Sequence, residues 1–170
     1  MLSEIFTFVP INKQEFEIVF AKNAALAGKI IFEKDGSYTL YDLNLADNIG
    51  VGQYKEGYVF VTIYRKETDT NFTGQQIFKI LYDFCLFFYQ QALLGIEVSW
   101  GFFSDNTIIF NNFVLNLPIE QAVFKTWTGQ RATERGFDKA TVVDMKFNAS
   151  RKGDADAISK YAPVKVKFFR

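Results

Sequence analysis

Short apolar runs between polar turns dominate the first third of the chain. Phe6 to Val9 and Phe16 to Ala21 read as strands broken by Pro10 and a polar linker. Lys29 to Glu33 and Ser37 to Tyr41 are two β-rich runs about Lys34-Asp35-Gly36, where glycine supplies the positive φ that a tight hairpin needs. Gly50, Gly52 and Gly57 predict a loop, and Tyr58 to Tyr64 predicts a strand buried on both faces or nearly so. After a polar loop, Arg65 to Asn71, the period changes. Ile77, Ile80, Leu81, Phe84, Phe87, Phe88 and Leu94 recur at mixed three- and four-residue steps. This spacing predicts a long central helix over Gly74 to Leu94, burying a wide face and ended by Gly95.

Ile96 to Trp100 reads as a further strand. Ser104, Asp105 and Asn106 are helix-capping types before Ile108, Ile109, Phe110, Phe113 and Val114, so a short helix is expected there. Asn116 to Pro118 stops it and starts another, with Pro118 at a first helical position and Ala122, Val123 and Phe124 buried. Thr128 is placed to cap a third short helix ending at Gly136. Thr141, Val143, Met145 and Phe147 alternate with polar neighbours, as do Val164, Val166 and Phe168, giving two closing strands around a polar loop at Asn148 to Asp156. The expected fold is α+β: a mostly antiparallel sheet with one long central helix and several short helices, in one domain spanning 1–170.

Composition narrows the chemistry. The 170 residues include 20 phenylalanines and no histidine. Imidazole acid–base catalysis, Ser-His-Asp and Cys-His nucleophiles and the HExxH zinc site are therefore excluded. A single cysteine, Cys85, supplies neither an internal disulfide nor a thiolate metal site, and its apolar neighbours mark it as a core residue. The start, MLSEIFTFVPINKQ, has no basic-then-apolar leader pattern, so a cytoplasmic chain is expected as given. The uncharged stretch at the apolar maximum, Phe84 to Ile96, falls short of the roughly 20 residues of a membrane span. Charge is uneven. Residues 1–130 hold 9 Lys/Arg and 14 Asp/Glu, whereas residues 131–170 hold 10 and 5. A basic tail on an acidic body fits an anionic partner or simply a solvated lysine-bearing strand.

Without histidine, proton transfer falls to carboxylates, lysine, tyrosine or water, and transition-state charge falls to arginine, lysine and backbone amides. Asp105, Asn106, Thr128 and Arg131 are the catalytic candidates. Trp100, Asn111, Thr126, Trp127 and Arg135 are the candidates for binding substrate. Arg131 and Arg135 lie four apart on one helix face, suited to clamping an anionic group or to pairing with Glu134 in solvent. With Lys165 and Lys167 they are expected to offer a positive surface to phosphates. The tryptophans suit base stacking or core packing, and capping is the alternative for Asp105, Asn106, Thr126 and Thr128. No metal ligand and no cofactor is assigned.

The run W-G-F-F-S-D-N-T-I-I-F-N-N (Trp100 to Asn112), the run A-V-F-K-T-W-T-G-Q-R-A-T-E-R-G-F (Ala122 to Phe137) and the closing V-K-V-K-F (Val164 to Phe168) occur in that order. Together they resemble the C-terminal toxin modules of bacterial polymorphic toxins, those of Rhs-type and filamentous-haemagglutinin-type effectors. The resemblance covers roughly residues 95–170. It leaves the β-rich part and long helix, 1–94, unmatched, and the Asn148 to Tyr161 segment is longer than in that pattern. It implies an effector of interbacterial competition, secreted as part of a larger protein, active in the target cell's cytoplasm on nucleic acid or a nucleotide and neutralised by an immunity protein. The activity implied is that of a histidine-independent nuclease or transferase. A second resemblance is to acetyltransferases of the GNAT type. Their phosphate-holding loop is similar to Asn71-Phe-Thr-Gly74-Gln-Gln76 before the long helix, with acetyl-CoA the implied ligand. A non-catalytic binding module is the third reading.

Overall fold

The computed structural model describes residues 5–43, 48–64, 70, 72–100, 108, 112, 115–145 and 164–170. The chain divides into two compact units, Met1–Ala92 and Leu93–Arg170.

In the first unit six strands follow one another across a sheet in chain order. They are β1 (Phe6–Pro10), β2 (Glu15–Phe20), β3 (Leu26–Phe32), β4 (Tyr38–Asp42), β5 (Asn48–Lys55) and β6 (Tyr58–Ile63), each antiparallel to the next. Chemistry at the turns sets the register. Between β3 and β4, Asp35 accepts from the Ser37 amide and hydroxyl, and Gly36 takes φ 88°. That pairing also holds the Asp35 carboxyl below its ordinary range, the Ser37 hydroxyl contributing most. Between β5 and β6, Glu56 and Gly57 both have positive φ, as a two-residue hairpin turn requires.

Helix α1 (Gly74–Tyr89) lies on this sheet against β5 and β6. Thr73 and Gln76 cap it reciprocally: Thr73 Oγ1 accepts from the Gln76 amide at 3.1 Å, and Gln76 Oε1 accepts from the Thr73 amide at 2.8 Å. Its buried side chains include Ile77, Ile80, Leu81 and Phe84, each contributing roughly 1.5–3 kcal/mol by leaving water. Two glycines let the helix and a ring sit close to β5. A Cβ at Gly50 would lie 2.8 Å from Ile77 Cγ2, and one at Gly52 would lie 2.3 Å from the Tyr38 ring. Tyr38 lies buried across β5 and donates its hydroxyl to the Leu81 carbonyl at 2.8 Å, tying β4 to α1. Burial pushes the neighbouring Cys85 thiol up to about 11, against a smaller opposing pull from the Tyr38 hydroxyl.

In the second unit β7 (Gly95–Trp100), β8 (Lys139–Met145) and β9 (Val164–Phe169) form an antiparallel set in the order β7-β9-β8. Val164, Val166 and Phe168 of the central strand are fully buried. Helix α2 (Ile119–Ala122), a 3-10 turn (Val123–Lys125) and helix α3 (Trp127–Glu134) complete the described elements. The edge between Phe124 and Phe168, ring centroids 5.1 Å apart, places the 3-10 turn on the face that buries Phe168.

These elements overturn the α+β expectation built on a long central helix. Among the described residues the chain is mostly strand, nine strands against helices of 16, 4 and 8 residues. α1 stops at Tyr89 rather than Leu94 because Gln90 turns into the left-handed region, φ 52°, and Gly95 is already in β7. Its buried face also narrows near that end, where Phe87 and Phe88 are 41% and 39% exposed. Gly50 and Gly52 belong to β5 and not to a loop. In β8 the pairing shifts between Val142 and Asp144, so Val143 is the extra residue of a bulge and is 50% exposed, while Val142 faces Val166. The expected short helix over Ile108 to Val114 and the loop after Phe147 fall outside the described residues for most of their length.

Candidate functional site

The second unit builds its polar centre around α3. The 3-10 turn ends at Thr126, whose extended backbone, φ −77° and ψ 164°, breaks the helical path before α3 begins. Its hydroxyl donates to the Val123 carbonyl at 2.7 Å and accepts from the Gly129 amide at 2.9 Å. Thr126 is thus the N-cap, and Thr128, which the sequence placed in that role, lies inside the helix and is buried. Thr126→Ala is expected to cost about 1–2 kcal/mol of stability in denaturant unfolding followed by tryptophan fluorescence, with Thr126→Ser close to wild type. Both tryptophans, Trp100 and Trp127, lie in this unit, so the signal reports on it alone.

The other end of α3 is closed by Gly136 and Phe137. Gly136 takes φ 81° and donates its amide to the Thr133 carbonyl, while the Phe137 amide donates to the Ala132 carbonyl, both at 3.0 Å. This is a Schellman closure, with Phe137 buried beneath it.

Between these ends stands Arg131. It is only 5% exposed. Its guanidinium lies over the Trp127 ring, 4.9 Å from the centroid, as the i and i−4 positions of a helix allow. Nη2 donates to Glu134 Oε1 at 2.9 Å. Nε and Nη1 are buried and have no hydrogen-bond partner among the described residues. Glu134 also reaches Arg135 Nη1 at 3.6 Å, and that nitrogen donates to the Arg131 carbonyl at 3.1 Å. Arg170 donates to the Arg135 carbonyl at 3.2 Å and lies over Phe137, 5.2 Å from the ring centroid. Three guanidinium groups thus gather at the carboxyl end of α3, where the helix dipole favours positive charge.

Of the candidates named from sequence, the structure brings Trp127, Arg131 and Arg135 into one cluster on α3. Thr126 is committed to its cap. Trp100 ends β7 opposite Val164 and is part of the core. Asp105, Asn106 and Asn111 lie outside the described residues. Lys165 and Lys167 do not join Arg131. They alternate with the buried Val164, Val166 and Phe168 and so lie on the opposite face of the sheet, where Lys165 reaches Glu97 at 3.4 Å. Glu134 and Arg170 are the members that sequence reasoning left out of the site. Glu134 was legible from its i+3 spacing to Arg131, whereas nothing in the local sequence signals Arg170.

Among the described residues no group of three or more acidic, cysteine or histidine side chains is placed to hold a metal, and no helix is long and apolar enough to cross a membrane. At the start of α1, the Gln76 amide that an acetyl-CoA loop would present to phosphate is already held by Thr73. No family model, no curated protein and no solved structure matches the chain.

Proposed function

We propose that residues 93–170 form a toxin-type effector module that binds a phosphate-bearing substrate, a nucleic acid or a nucleotide, through Arg131, and that an immunity partner neutralises it. One observation carries the reading: a buried guanidinium with two nitrogens that have no hydrogen-bond partner among the described residues. Burying an arginine on a single carboxylate costs several kcal/mol that an apolar side chain would not cost. Among the described residues no other buried side-chain nitrogen or oxygen lacks a hydrogen-bond partner, so the deficit is local to the group best suited to an oxyanion. The ordered motifs from Trp100 to Phe168 support the toxin class, and the module is read as one delivered by a larger secreted protein to a target cell's cytoplasm. The acyltransferase reading would need the Gln76 amide, which the Thr73 hydroxyl holds at 3.1 Å.

Inducible expression of the full chain in a bacterium tests the proposal. Wild type is expected to arrest growth. Arg131→Met, an apolar replacement of similar length that relieves the buried charge, is expected to accumulate folded and to be harmless. Harmless wild type at comparable abundance would overturn the toxin reading, and a folded but fully toxic Arg131→Met would remove Arg131 from it.

A further inference from the structure

The Glu134 side chain is 52% accessible, whereas Nε and Nη1 of Arg131 are covered. Its carboxylate is shared between Arg131 Nη2 at 2.9 Å and Arg135 Nη1 at 3.6 Å. Any anion that comes to Arg131 from the Nη2 side meets this carboxylate first and must take its place.

That competition sorts phosphates by charge and by shape. An internal phosphodiester carries one negative charge, the same as Glu134, so exchanging one for the other gains no net attraction while the diester loses its hydration. It also continues on both sides, and an arginine only 5% exposed is poorly reached by a chain that must pass over it. A terminal phosphate carries about −1.5 to −2 charges at neutral pH, offers three acceptor oxygens and enters by one end. It takes the place of Glu134 at Nη2 with more charge than the carboxylate it displaces.

We infer that the Arg131–Glu134–Arg135 cluster selects phosphate monoesters, the end group of a nucleotide or of a nucleic-acid strand, over internal phosphodiesters, with Glu134 the built-in competitor that sets the threshold. This rests on the reading of Arg131 as an anion receptor. Glu134 is a specificity residue here and not a catalytic one.

Calorimetric titration of the full chain with a diadenosine dinucleotide, with and without a 5′-phosphate, tests it. Wild type is expected to bind the phosphorylated form about tenfold or more tightly, a difference of about 1.4 kcal/mol. Glu134→Gln is expected to bind both forms more tightly and to shrink the preference to about threefold, since the neutral amide no longer excludes a monoanion. Unchanged thermal unfolding of Glu134→Gln establishes that the fold is intact, and Glu134→Asp, which keeps the charge, is expected to retain wild-type preference. Equal affinity of wild type for the two dinucleotides would overturn the monoester selection while leaving Arg131 an anion receptor. An undiminished preference in folded Glu134→Gln would overturn the role of Glu134. Failure of both proteins to bind either dinucleotide would overturn the receptor itself.

Discussion

Replacing Phe84 by alanine is expected to destabilise the first unit by about 3–5 kcal/mol, the range for deleting a large buried ring. Phe84 is fully buried, and its ring centroid lies 5.0 Å from those of Phe16 and Tyr38, 5.3 Å from that of Phe8 and 5.8 Å from those of Phe32 and Phe88. These rings come from β1, β2, β3, β4 and α1, so the void left by alanine has walls on five elements and no single one can move in to fill it. Seven of the eight tyrosines lie in this unit. Their near-ultraviolet circular dichroism during urea unfolding is the measurement. A loss smaller than about 1 kcal/mol would show that the cluster collapses around the gap and is not close-packed. Phe84→Leu, which keeps most of the volume, is expected to lose less than half as much.

Gly129→Ala is expected to destabilise the second unit by about 3 kcal/mol, although alanine in place of glycine favours an isolated helix by roughly 1 kcal/mol. The reversal follows from what the added methyl would meet. It would lie 2.3 Å from the Val123 carbonyl oxygen and 2.6 Å from Phe124 Cα, both backbone atoms of the preceding 3-10 turn. A side chain can swing aside from such an approach, but a main chain held by the Thr126 cap cannot. Tryptophan fluorescence in denaturant checks this result. A stabilised Gly129→Ala would mean that the turn and α3 separate freely. Because the cap and the close approach both position α3, the variant is also expected to weaken the anion binding proposed for Arg131.

The parts of the fold that were legible in the sequence are those whose signal is local. The Asp35-Gly36 turn, the alternation in β9 and the strand at Tyr58 to Ile63 need only neighbouring residues to declare themselves. Signals that depend on a distant partner mislead. Gly50 and Gly52 look like loop residues until Ile77, Leu81 and Tyr38 are seen filling the space above them. Apolar spacing ran the helix on to Leu94 because periodicity carries no information about where Gln90 turns the chain. Thr126 and Thr128 are equally good caps on paper, and only the path of the 3-10 turn chooses between them. The same limit applies to the candidate site. An i, i+4 arginine pair was visible, but the burial of one arginine and the sharing of Glu134 are three-dimensional facts. So is the separation of the lysines onto the other sheet face. The run Ala122 to Phe137 proves to carry folding information: Thr126 caps α3 at its start, and Gly136 and Phe137 close it.

The interlock of Tyr38 with Gly52 has a bearing on how this chain can diverge. The phenol ring occupies the volume that any side chain at position 52 would claim, and its hydroxyl is spoken for by the Leu81 carbonyl. Neither site is therefore free to drift by itself. A lineage that acquires bulk on the fifth strand must surrender the aromatic on the fourth, and with it the tether to the helix. In a comparison of divergent copies the two positions would travel as one heritable character.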